Sequence, residues 1–287
     1  MYTFTRKSFH ENCQVFLSQQ LTLFRDKFTP DELKIGHEFL EFLLQMISKT
    51  SPDTWGGTSP KIMFDYLQDK KLEPIWNSQS TFWAQIETPI TYFTFGALIH
   101  TWLQGKKSDR ILSIGAGPGL YELFWENQLQ SIHQRTIITC TDFADNMVTE
   151  GLNNKKRYSD IYNRESRVLF KKGSATNFHS KDASMDIVIS NNVLNWLTDW
   201  KGSISEMHRV LKKGGWAIIS TRPAEPAMVI PGGQINLAPK IEMTELTHFI
   251  KNLFGDVEKV HLFEVPAGLG QGGANFDLRL SLLIQKK

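Results

Sequence analysis

From residue 109 onward the chain alternates short β-branched runs with helix-forming intervals, and no other feature limits its fold as strongly. The runs are "RILSI", "TIITCT", "RVLFKK", "MDIVIS" and "GWAIIST", and the intervals between them include "DWKGSISEMHRVLKK". Parallel strands cannot be joined by tight turns, so this alternation predicts βαβ units and a parallel sheet covered by helices on both faces. Near the end the rhythm changes: "DVEKVHLFEV" and "NFDLRLSLLIQK" flank the loop "PAGLGQGGA" with no helical interval. These two runs predict an antiparallel hairpin at the sheet edge. The expected class is α/β, with seven strands, mainly parallel, and a helical N-terminal cap.

That cap is the first hundred residues, which read as helical and set the expected division into 1–105, a cap or substrate region, and 106–287, a ligand-binding domain. In "TPDE", Thr29 is a hydroxyl N-cap, Pro30 fits the first helical position and Glu32 can reach back to the cap, so a helix is predicted over 30–48. Its apolar residues Leu33, Phe39, Leu40, Leu43, Met46 and Ile47 recur at three- and four-residue steps and give it one buried face. "KTSPDTWGGTSP" reads as a loop and "KIMFDYLQDKK" as a short helix. The aromatics of "IWNSQSTFWAQIETPITYFTFGALIHTWLQGKK" read mostly as core.

Composition excludes several functions. With 287 residues, 41% of them hydrophobic, the chain can bury a substantial core. Its formal net charge of +2, from 32 basic and 30 acidic residues, creates no field able to gather nucleic acid or anionic lipid. Cys13 and Cys140 lack CxxC or Cys/His spacing, which argues against a disulfide framework or a metal site and fits a reducing, cytoplasmic setting. "MYTFTRKSFHENCQVFL" lacks the signal-peptide pattern, and "HEFLEFLLQMI" is too short and too charged to span a bilayer. A soluble protein is expected.

In "RILSIGAGPGLYE", Gly115, Gly117 and Gly119 follow the first strand and lead into a helix. In an open α/β sheet this strand-to-helix turn is where a ligand binds, and glycines let the backbone approach it without a β-carbon in the way. The dinucleotide fingerprint would place its third glycine at position 120, which is Leu120, and no Gly-Lys-Ser/Thr ends the loop as a P-loop requires.

From 109 to 287 the sequence resembles the class I S-adenosylmethionine-dependent methyltransferases, whose fold is Rossmann-like. The resemblance implies that the loop residues Gly115, Ala116, Gly117 and Gly119 hold the methionine and ribose part of S-adenosylmethionine. It places Asp142, ending the second strand in "TIITCTDFADNM", on the ribose hydroxyls, with Phe143 and Met147 beside the cofactor. An ionised carboxylate can accept two charge-assisted hydrogen bonds from a cis-diol. The turn "GSAT" after the third strand puts Ser174 and Ala175 at the adenine, and Asn191 lies at the fourth-strand end. One departure is Ser113, where the family commonly carries an acid two residues before the first glycine.

Methyl transfer needs alignment of acceptor and methyl group more than a dedicated catalytic residue, although a hydroxyl, phenol or ammonium acceptor also requires a base. Asn191, Asn192, Asn195 and Trp196 are expected near the methyl group, or else they cap and pack. Glu87, Thr88, Tyr92 and His100 precede the first strand and are candidates from that side, with Glu87, His100 and Asn192 the catalytic candidates carried forward. His179 reads as a loop residue and His208 as a helix-surface or packing residue. The segment 222–240, "RPAEPAMVIPGGQINLAPK", is long for a strand-to-helix connection and reads as an active-site lid. A small, partly apolar acceptor is the expected partner, against a protein or RNA methyltransferase, or a module that uses the cofactor fold without transfer.

Overall fold

The computed structural model describes residues 29–48, 97–104, 106, 108–129, 135–221, 228–230, 233–235, 241–266 and 276–287. At its centre, β1 (Arg110–Ile114) pairs in parallel with β2 (Ile137–Asp142) on one side and β4 (Met185–Asn191) on the other. β3 (Leu169–Lys172) lies outside β2, and β5 (Leu211–Thr221) lies beyond β4, both parallel to their neighbours. β9 (Phe276–Gln285) runs antiparallel to β5, and β8 (Val257–Pro266) antiparallel to β9. The full order is β3-β2-β1-β4-β5-β9-β8, the seven-stranded, mainly parallel sheet with a terminal hairpin that the alternation predicts. Strand order reverses beside β1, and the crevice between the carboxyl ends of β1 and β4 is the ligand position of such sheets.

Six α-helices occur among the described residues: α1 (Pro30–Ser48), α2 (Ala97–Leu103), α3 (Leu120–Leu129), α4 (Asp145–Tyr162), α5 (Trp200–Val210) and α6 (Met243–Phe254). Strand residues alternate between two cores. Ile111, Ile187, Ile189 and Ile218 face a cluster formed with α1, α2, α3 and Tyr158 of α4, whereas Leu112, Ile114, Val188 and Ile219 face α5 and α6. β1 is buried on both faces from Ile111 to Ile114, which explains why its residues do not alternate between apolar and polar.

α1 starts where its capping box sits. The Glu32 N–H donates to Thr29 Oγ1 at 3.3 Å, and the Thr29 N–H donates to Glu32 Oε2 at 2.7 Å, so two N–H groups of the helix start are satisfied reciprocally. Its buried stripe is Ile35, Phe39, Phe42, Leu43 and Met46. Leu33 is only half-buried, and the side chains of Leu40 and Ile47 lie outside the described residues. Phe39 and Phe42 both pack on Phe124 of α3, so α1 shares one core with the sheet.

The short helix expected at 61–71 and the candidates Glu87, Thr88 and Tyr92 lie outside the described residues. Within 222–240 the structure describes two paired antiparallel strands, β6 (Met228–Ile230) and β7 (Gly233–Ile235). No helix among the described residues is long and apolar enough to cross a membrane.

Candidate functional site

The turn from β1 into α3 forces left-handed backbone at Gly115, Gly117 and Gly119, with φ of 58°, 55° and 66°. Side chains with a Cβ disfavour that region, so glycine suits all three positions. Space separates them. A Cβ at Gly115 would stand 2.5 Å from Val193 Cγ2, and one at Gly119 would stand 2.3 Å from Phe170 Cε1, so these two glycines let neighbouring side chains close in. At Gly117 the nearest atom would be Met147 Sδ at 3.8 Å, which leaves open room over the middle of the loop.

Tertiary bonds hold the loop. The Ala116 N–H donates to the Thr141 carbonyl at 3.1 Å, and Asn154 Nδ2 of α4 donates to the Pro118 carbonyl at 3.0 Å. Asp142, at the carboxyl end of β2, accepts the Gly117 N–H on Oδ2 and the Ala144 N–H on Oδ1, each at 3.0 Å. Burial raises the pKa of this carboxyl, while backbone N–H groups of Ala144, Gly117 and Phe143 pull it back down. A carboxylate offers about four lone-pair directions, so each oxygen keeps capacity for a ligand hydroxyl.

Position 113, where the resemblance leads one to expect an acid, has a partner that sequence reasoning missed. Ser113 Oγ donates to Glu122 Oε1 of α3 at 2.6 Å, with both side chains buried. Burial pushes the Glu122 carboxyl up to about 7, against the favourable bonds from Ser113 and from its own backbone N–H. The only sequence signal was an acid in the first turn of an otherwise apolar helix start, "LYELFW".

The turn after β3 lies beside Asp142, whose carbonyl accepts the Gly173 N–H at 2.9 Å. The Ser174 hydroxyl is engaged within that turn, 3.0 Å from Thr176 Oγ1. Arg209 of α5 docks the following loop by donating to the carbonyls of Phe178 and Ser180 at 3.0 Å, while Glu206 Oε2 accepts the Phe178 N–H at 2.8 Å. This clamp was also not anticipated. It joins residues about thirty apart, a separation that local pattern does not reveal.

At the carboxyl end of β4, Asn192 adopts φ of 58° and donates its backbone N–H to the Ser220 carbonyl at 2.7 Å. The Oδ1 atoms of Asn191, Asn192 and Asn195 are buried without hydrogen-bond partners, as is Thr221 Oγ1 at the end of β5. Unsatisfied acceptors at one end of a sheet, next to an open loop, are suited to a ligand that brings donors. Asn192 thus stands at the carboxyl end of β4, backbone-bonded to the end of β5.

His100 packs against α3. It is buried in α2 against Phe124, with ring centroids 5.8 Å apart, and burial lowers its pKa to about 4. Its Nε2 is 3.1 Å from Gln104 Nε2 and its Nδ1 has no partner. A neutral imidazole of such low basicity is a poor proton acceptor. His179 is exposed, and His208 packs edge-on against Phe254 at 4.9 Å. No group of His, Cys, Asp and Glu able to hold a metal occurs among the described residues.

Comparison with known proteins bears on this geometry. A family model described as a methyltransferase domain matches residues 112–219, from β1 to β5. A malonyl-acyl-carrier-protein O-methyltransferase of Geobacter sulfurreducens is 29% identical over 112 residues, which are 39% of this chain and 38% of that protein. The match thus spans well under half of the relative's length. Among solved structures, a SAM-dependent methyltransferase from Methanosarcina mazei superposes with a TM-score of 0.52 at 18% identity, covering 66% of this chain and 96% of that one. The cyclase SpnF gives a TM-score of 0.52 at 15% identity, covering 67% and 80%. At these identities the structural likeness speaks to fold alone.

Proposed function

We propose that this chain is a class I S-adenosylmethionine-dependent methyltransferase that methylates a small, partly apolar organic acceptor. The observation that carries the cofactor half of this reading is the pairing of Asp142 with Gly117. It sets an acid with spare acceptor capacity beside the one loop glycine where a Cβ would meet no clash, the nearest atom being Met147 Sδ at 3.8 Å.

The residues present fit S-adenosylmethionine. Asp142 would accept the ribose hydroxyls, Ala116 to Gly119 would lie along the methionine part, and Phe143, Met147, Ser174 and Ala175 would flank the adenine side. When bound, the cofactor supplies an electrophilic methyl group on a positively charged sulfonium. The protein's work is then to align an acceptor and exclude water, which together lower such a barrier by several kcal/mol, up to about ten. Asn191, Asn192 and Asn195 would orient the acceptor through their unpartnered oxygens, which suit a hydroxyl or ammonium donor.

Three features support a small acceptor. The net charge of +2 offers no basic stripe for RNA. The β5–α6 connection, with its apolar "AMVI", is long enough to cover a bound molecule. The sequence of residues 1–105 is rich in aromatic residues, and we assign this region to the acceptor side, although α1 and α2 also build the core. The two cysteines, of which Cys140 is buried and free, suit a reducing compartment, and we place the protein in the cytoplasm.

Thermal melting with S-adenosylmethionine and with NAD tests the cofactor. A rise with the former alone is expected, since a ligand that binds only the folded state stabilises it. Incubation of a cell extract with methyl-labelled cofactor tests the acceptor. Label in the low-molecular-weight fraction supports this reading, and label confined to protein or RNA sinks it. A second reading, cofactor binding without transfer, is favoured by the lack of a strong base among the described residues at the β4 end; it predicts binding with no label transferred to any fraction.

A further inference from the structure

Glu122 is the buried acid for which the reading above finds no use. Its bond to Ser113 joins the second residue before Gly115 to the first turn of α3, so it closes the base of the glycine loop. Both side chains are 1% exposed, and Glu122 Oε2 has no hydrogen-bond partner. No lysine or arginine among the described residues pairs with Glu122.

Around this corner the positive charge of Arg167 is taken up by Glu126, whose Oε1 lies 3.7 Å from Arg167 Nε, and the other titratable groups supply none. From β2, the Cys140 thiol is pushed up by burial and by the carboxylates of Glu122, Glu126 and Asp142, so it stays neutral. Glu126 lies one turn along α3, and His100 of α2, against Phe124, is held neutral by burial. Asp142 differs from Glu122 in having backbone N–H groups on both oxygens. A buried carboxyl without a cation either keeps its proton or receives a counter-charge from outside the protein.

The cofactor is such a counter-charge. With one carboxylate, one ammonium and one sulfonium it carries a net positive charge, whereas the thioether left after methyl loss is neutral overall. Resting on the cofactor reading, we propose that Glu122, aligned by Ser113, is the acid whose ionisation answers the cofactor's positive charge, so that the site distinguishes cofactor from demethylated product by charge. Cofactor binding releases the Glu122 proton to solvent. Once the sulfonium has become a thioether, Glu122 takes a proton back from solvent. Glu122 is a positioning residue and makes or breaks no bond to carbon.

The test is calorimetric titration of the wild type and E122Q near pH 7 with S-adenosylmethionine and with S-adenosylhomocysteine, each in two buffers of different ionisation enthalpy. The amide of E122Q retains an oxygen for the Ser113 hydroxyl. The quantity read is the proton release of the wild type minus that of E122Q, which cancels protons from the ligand's own amino group. A difference of up to about half a proton is expected with S-adenosylmethionine, since a carboxyl titrating at about 7 is already half-ionised at that pH, and a smaller one with S-adenosylhomocysteine. In S113A the pH of half-maximal release should rise, because the hydroxyl that favours the carboxylate is gone. Equal release by wild type and E122Q, or an S113A midpoint that does not rise, overturns the role of Glu122. Failure of the wild type to bind either ligand overturns the cofactor reading itself.

Discussion

Asp142 Oδ2 and the Gly117 backbone N–H lie 3.0 Å apart, which ties the acid ending β2 to the one loop glycine whose side-chain direction is open. The three glycines should therefore respond differently to alanine. G117A should cost about 1–2 kcal/mol of stability for its left-handed backbone, yet weaken cofactor binding by an order of magnitude or more. G119A and G115A should unfold the domain at markedly lower temperature, because their methyl groups collide with Phe170 and Val193. Melting curves beside cofactor titrations separate the two outcomes.

D142N replaces a charged acceptor by one neutral carbonyl oxygen and an NH2 group, so only one of the Ala144 and Gly117 N–H groups keeps an acceptor. Loss of charge-assisted bonds worth about 1.5–3 kcal/mol predicts roughly 10- to 100-fold weaker cofactor binding. Equilibrium titration checks it, and wild-type affinity in D142N would remove Asp142 from the site.

Two buried groups give the cofactor-free protein opposing pH dependences. His100 has its pKa lowered from 6.5 to about 4, so unfolding takes up a proton and stability is lost as pH falls from 6.5 towards 4, by at most about 3 kcal/mol. Glu122 has its pKa raised from 4.5 to about 7, so its contribution is present below 4.5 and is lost as pH rises through 7. Denaturant melts across pH 4 to 8 should show a flatter acid limb in H100F. They should also show E122Q gaining on the wild type between pH 4.5 and 7.

R209A should loosen the loop after β3 without touching the glycine loop. Its guanidinium holds the carbonyls of Phe178 and Ser180 and lies 2.7 Å from Glu206 Oε1. Because the side chain is about one-third exposed, the expected loss is modest, about 1–2 kcal/mol, and R209K should recover little since an ammonium cannot fork between partners. Faster amide exchange over 174–182 would locate the effect.

Periodicity made the sheet legible because β1, β4 and β5 each carry a buried run rich in Ile, Val, Leu or Ala, and the capping box at Thr29 marked the start of α1 from four residues alone. In α1 the pattern was read only partly, since Ile35 and Phe42 are buried by helices that pack from other parts of the chain. The site divides in the same way. Asp142 was readable as an acid at a strand end, whereas Glu122, Asn154 and Arg209 act through bonds that no local spacing encodes. The three glycines look alike in sequence, and only the positions of Val193, Phe170 and Met147 tell them apart.

The hairpin at the sheet edge also sets an order of assembly. β9 lies between β5 and β8, so β8 reaches the sheet only through β9. Pairing of β8 with β9 spans a short stretch of chain, whereas pairing of β9 with β5 must close a much longer one, at a higher entropic cost. Loop-closure entropy thus favours forming the hairpin before it docks onto β5. Until it does, the buried Ser220 hydroxyl, 2.9 Å from that of Ser281 in the finished sheet, faces water at an open strand edge.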